Sequence, residues 1–172
     1  MSHHDTLLRC LDDLESRIDC GEEERLLGEW KAFAEGRNTS DIFSPRRSGA
    51  VPPRAEWPAV TVNAALDDFD LMALQQYKNC SDLLADGRGY LMCIRSNYGT
   101  GILPSLFGVR LFIMEDSMNT LPGNWPLDGP DAIRKAIDGG VPDLQGGWGA
   151  KVFEMGRRYA EIARQFPNIG RH

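Results

Sequence analysis

The stretch SNYGTGILPSLFG, Ser96 to Gly108, carries no charge, three glycines and a proline, and lies between two short apolar runs, YLMCI and RLFIM. Runs this short read as strands rather than helices, and an unbroken apolar run suits a strand buried on both faces in a parallel sheet. Only 15 residues separate Arg95 from Leu111. That is short for a helical crossover, so no more than a helical turn is expected at Pro104–Phe107. In an α/β protein the loop after a buried strand is where ligands bind. Glycines such as Gly99 let backbone approach a ligand closely, and Asn97 and Tyr98 supply donors and acceptors.

The rest of the chain is read around this centre. Leu7, Leu8, Leu11, Leu14 and Ile18 recur at helical spacing, as do Leu26, Leu27, Trp30 and Phe33. With the glycine break DCGEEE between them, residues 1–35 read as a helical hairpin with an acidic outer face. Residues 36–58 hold four prolines and four arginines against two acids and read as a solvated linker. From residue 59 the pattern is AVTV as a strand, NAALDDFDLMALQQYKNCSDLLADG as one helix ended by Gly87 and Gly89, and then the two apolar strands. After the loop SMNTLPGNWPLDGP come a helix at DAIRKAID and another at AKVFEMGRRYAEIARQF, with Val152, Phe153, Met155, Tyr159 and Ile162 inward. Alternating strands and helices make residues 59–172 an α/β domain.

Charge and reactive groups narrow the function. Residues 1–35 hold ten acids and four bases, which accounts for the whole net charge of −6. No basic footprint for nucleic acid is present, and the Arg46–Arg47 and Arg157–Arg158 pairs read as solvated surface. There is no apolar run of 18 residues and no secretory leader pattern at the start, so a cytoplasmic location is expected. Cys10, Cys20, Cys80 and Cys93 form no C-x-x-C pair, and Cys80 and Cys93 sit in apolar contexts that suit buried thiols. His3, His4 and His172 lie at the ends, so no imidazole serves a nucleophile system or a zinc site within the α/β region. Arg95, following an apolar strand, is the first candidate to grip a carboxylate with its bidentate fork, unless it pairs with Asp116. Asn119 and Trp125 line the next loop, where Trp125 either stacks on a flat ligand or simply packs. Glu115 and Asp116 are neighbours that point to different sides, not a general-acid pair. No catalytic residue is assigned.

Four segments, VNAALDDFD, SNYGTGILPSLFG, NTLPGNWPL and GVPDLQGGWGAKVFEMGRRYAEI, carry a resemblance. Over roughly residues 40–172 the chain resembles the amino-terminal part of the uroporphyrinogen decarboxylase-like superfamily, in the bacterial branch with an N-Y-G-T-G-I-x-P-S-L-F-G block. The resemblance implies a (β/α)8 TIM-type barrel and either decarboxylation of tetrapyrrole acetate groups or zinc-dependent methyl transfer from corrinoids. The decarboxylase motif R-Q-A-G-R-Y has no counterpart at VTVNAALDDFD, so its role passes to no residue here. Zinc would need ligands beyond residue 172, and no cofactor is evident in the chain.

A full barrel takes about 250 residues, so residues 59–172 are expected to form its amino-terminal half, behind the hairpin and linker. The expected function is that of a truncated lyase or methyltransferase relative, acting on a carboxylate-rich substrate when completed by a second barrel half. Arg95, Asn97, Tyr98, Gly99, Asn119 and Trp125 are the expected substrate-binding residues, and the expected partners are a carboxylate-bearing small molecule or a corrinoid protein. The alternative is a non-catalytic binding or interaction subunit, or an inactive gene fragment, with the acidic hairpin as docking element and a homo-oligomer as its assembly.

Overall fold

The structure, a computed structural model, describes residues 2–38 and 42–172. Among them are eight α-helices and one two-stranded antiparallel hairpin. The helices are α1 (His3–Arg17), α2 (Cys20–Ala34), α3 (Val62–Asp67), α4 (Phe69–Ala85), α5 (Ile102–Leu106), α6 (Gly129–Asp138), α7 (Gly149–Gln165) and α8 (Pro167–Arg171). Strand β1 (Leu111–Phe112) pairs with β2 (Gly123–Asn124), Leu111 opposite Asn124 and Phe112 opposite Gly123. No helix among the described residues is long and apolar enough to cross a membrane.

This overturns the expected half-barrel: the described residues contain no parallel strand pair. The run YLMCI belongs to no sheet, and side chains take carbonyls both within it and just before it. Arg47 bonds the carbonyls of Arg88 and Tyr90, Trp30 Nε1 donates to Gly89 O at 2.8 Å, and the Cys80 thiol lies 3.8 Å from Cys93 O. A carbonyl occupied in this way has no need of a neighbouring strand. At AVTV, Thr61 caps a helix instead of continuing a strand, its hydroxyl accepting from Ala64 N. The single helix expected after it breaks at Asp68, whose carboxylate accepts from Asp70 N and Leu71 N and so starts α4 anew. Gly87, at φ +62, closes α4 in the left-handed conformation.

The chain divides into two compact units, Met1–Ala59 with Ala73–Ile94 and Ala160–His172, and Val60–Met72 with Arg95–Tyr159. In the first, a capping box between Ser2 and Asp5 opens α1, and Leu7, Cys10, Leu11 and Leu14 are buried along one face of it. Each such side chain contributes about 1.5–3 kcal/mol of transfer free energy. Asp19 caps α2 through Gly21 N and Glu22 N. Glu15 of α1 caps α8, its two oxygens accepting from Asn168 N and Ile169 N at 2.8 and 2.9 Å.

Of the expected linker, residues 39–41 lie outside the described residues; residues 42–58 are irregular and mostly exposed, and side chains of α1 and α2 tie them down at a few points. Arg47, expected at the surface, is buried and forms two bonds to Glu23, at 2.8 and 2.7 Å. Arg17 Nη1 donates to Val51 O at 2.8 Å, and Asp13 accepts from Arg54 N and Ala55 N. Cys10 and Cys80 are buried as expected or better, whereas Cys93 is exposed. In the second unit Leu66, Met72, Tyr98, Met155 and Tyr159 are buried. Phe153, expected inward on α7, is exposed.

Candidate interaction surface

The second unit holds all the expected site residues. Tyr98 is the anchor of its loop: only 1% exposed, it meets Trp148 edge to face at 5.9 Å. The Lys151 ammonium lies 5.9 Å from the Tyr98 ring and 5.4 Å from that of Trp148, and donates to Leu66 O at 3.0 Å. Burial pushes the Tyr98 phenol up to about 12. On either side of it, Ser96 Oγ donates to Val152 O at 3.2 Å and Tyr159 OH to Arg95 O at 3.1 Å. The loop is thus sewn to α7.

The helical turn expected after it is α5, and Ser105 fastens that too. Its hydroxyl donates to Ile102 O at 2.6 Å and accepts from Trp148 N at 2.9 Å. Gly147, at φ +48, passes so near that a Cβ there would lie 2.6 Å from Ser105. Only glycine tolerates both the conformation and the approach.

The other expected residues divide by what occupies their side chains. Gly99 sits at φ +81 against Leu121. Asn119 adopts φ +42 and accepts from Val62 N at 2.8 Å. Trp125 tilts onto Phe112, 4.9 Å between ring centres, with half of its surface in water. Asp116 accepts from Asn63 at 2.6 Å and forms no ion pair with Arg95. Arg95 is exposed, Asn97 half-buried, and neither side chain has a hydrogen-bond partner among the described residues. No three His, Cys, Asp or Glu side chains among those residues gather to hold a metal ion.

The surface that residue-type reasoning passed over is α6. Pro130 starts the helix, and Ile133 and Ile137 fall on one face, yet α6 buries none of its residues. A groove of 520 Å³ runs beside it, walled by Pro104, Phe107, Val109 and Leu127 and edged by Ile133, Ile137 and Val141. Ile137 is 71% exposed and Val141 91%. The signal was legible as Ile133, Ile137 and Val141 at four-residue spacing, but a single helical face does not announce whether anything covers it.

No protein-family model, curated protein or solved structure matches the chain.

Proposed function

We propose that this chain is a non-catalytic interaction module that self-associates through the groove beside α6. The observation that carries the reading is an amphipathic helix that buries none of its residues. Phe107, Ile133, Ile137 and Val141 are 39%, 48%, 71% and 91% exposed, large apolar side chains gathered at one groove. Leu103 and Leu144, close in sequence to the groove residues, are exposed as well.

A second copy of the chain is the fitting occupant. The patch contains both a hollow and a projecting ridge, Ile137 with Val141, so one copy's ridge can fill the other's groove about a twofold axis. Asp131, Arg134, Lys135 and Asp138 balance in sign on α6, so two copies meet without net repulsion. We place the module in the cytoplasm, where its four free thiols suit a reducing environment.

Sedimentation equilibrium up to about 100 μM tests the reading on the wild type and on Ile137→Asp. The wild type should dimerise, and the variant, changed at an exposed position, should be monomeric with an unaltered circular dichroism spectrum. A monomeric wild type, or a variant that still dimerises, refutes it.

A second reading keeps ligand binding at Arg95 and Asn97, whose side chains engage no described residue, with a carboxylate such as the resemblance implies as the ligand. Calorimetric titration with a porphyrin tetracarboxylate tests it. Binding lost in Arg95→Ala supports this reading, and no heat with the wild type removes it.

A further inference from the structure

A second concave feature lies in the first unit, and its chemistry differs from that of the apolar groove. Trp30, Phe43, Ser44, Pro45, Arg46, Arg88, Gly89 and Tyr90 line a cleft of 250 Å³. Three of them are aromatic and two are arginines, and no carboxylate lines it. In a unit whose hairpin holds most of the chain's excess acid, two guanidinium groups at one cleft are an anomaly of charge.

The cleft is rigidly built. Gly89 packs so tightly that a Cβ there would lie 2.3 Å from the Pro45 backbone, and Arg46 and Arg88 form an isolated antiparallel bridge. The buried Arg47 holds the carbonyls of Arg88 and Tyr90 from behind. The aromatic side is equally fixed: Trp30 meets Phe43 edge to face at 4.9 Å and lies 6.2 Å from Tyr90, with the two planes inclined by 33°. Phe33 stacks on Phe43 at 4.3 Å.

The polar side has unspent capacity. Arg88 pairs through Nη2 with Asp86 at 2.8 Å, but its Nε is buried without a hydrogen-bond partner among the described residues. That side chain as a whole is 42% exposed, so its terminal nitrogens are open to an acceptor in the cleft. Arg46 is exposed, and its guanidinium engages no described residue. Guanidinium forks match a planar carboxylate, and ring faces match a flat apolar body.

We infer that this cleft binds a small aromatic carboxylate. Its ring lies among Trp30, Phe43 and Tyr90, and its carboxylate accepts from Arg46 and from the exposed end of the Arg88 guanidinium. The volume limits the ligand to a single ring or a fused pair, since drug-sized ligands occupy about 300–1,000 Å³. This site shares no residue with the groove of the self-association reading, so the two stand or fall separately.

The test is a benzoate titration to about 20 mM, followed by the indole N–H signal of Trp30 in a ¹⁵N correlation spectrum. The signal is assigned by its loss in Trp30→Phe. Benzoate should shift it saturably. Cyclohexanecarboxylate, equal in charge but without a π face, should bind at least about fivefold more weakly. Arg46→Gln should weaken benzoate at least about tenfold while leaving the remaining spectrum in place, because that side chain engages no described residue. The inference is overturned by a signal that does not move, by an Arg46→Gln protein of unchanged affinity, or by inorganic phosphate acting as well as benzoate. The last result would show a site that recognises charge alone.

Discussion

Replacing Glu23 by Ala offers the sharpest test of how the first unit is held. Glu23 and Arg47 are paired by two hydrogen bonds, and their side chains are 4% and 3% exposed. Truncating the acid strands a guanidinium that has no water to turn to, which costs about 3–5 kcal/mol. Against a total stability of about 5–15 kcal/mol, that is a large fraction. With a urea m-value of about 2–3 kcal/mol/M, the midpoint should fall by on the order of 1–2 M. The double variant, Glu23→Leu with Arg47→Met, removes both charges and fills the space with apolar atoms. It still orphans the carbonyls of Arg88 and Tyr90, so it should not equal the wild type. It should nevertheless recover at least about 2 kcal/mol relative to Glu23→Ala, because no unpaired charge stays buried. Urea unfolding followed by circular dichroism measures all of these. A Glu23→Ala protein within about 1 kcal/mol of wild type would refute the reasoning, because it would mean that the pair behaves as a surface ion pair. A double variant no better than the single one would refute it equally.

Other consequences follow from burial. The Tyr98 phenol is pushed up to about 12 by desolvation, so the fold favours its neutral form. The stability this contributes is complete below the ordinary phenol pKa near 10 and is lost as pH rises towards 12. Thermal midpoints between pH 9 and 11.5 should therefore fall less steeply in Tyr98→Phe than in the wild type, and parallel curves would contradict this. Burial likewise pushes the Cys80 thiol up to about 12, while Cys93 is exposed. Iodoacetamide at pH 8 should alkylate Cys93 first and leave Cys10 and Cys80 intact until unfolding, as peptide mapping would show; equal labelling of Cys80 and Cys93 would contradict the placement. Gly89→Ala forces a Cβ to within 2.3 Å of the Pro45 backbone and should destabilise the protein by about 1–3 kcal/mol in the same urea assay, whereas a neutral effect would mean that the two segments part easily.

What the chain determined on its own is local. Ser2 with Asp5, Asp19 and Pro130 mark helix starts, Gly87 marks a helix stop, and the 3.6-residue recurrence of Leu7, Leu11 and Leu14 marks a buried face. Each of these signals is complete within one or two turns of chain, so no distant partner is needed to read it. Whether an apolar run becomes a strand is another matter. YLMCI carries the composition of a buried strand, but its Tyr90 and Cys93 carbonyls went to the side chains of Arg47 and Cys80, and no parallel sheet formed among the described residues. The same long-range choice exposed Cys93 and buried Arg47, because a thiol's or a guanidinium's surroundings come from segments that local pattern does not name. The glycine-rich loop was recognisable as special from Ser96 to Gly108, but only the fold turned Tyr98 inward and left Arg95 and Asn97 free. Ile133 and Ile137 could be seen on one face of a helix. That the face stays largely exposed was decided by tertiary packing, since burial belongs to the neighbour as much as to the residue.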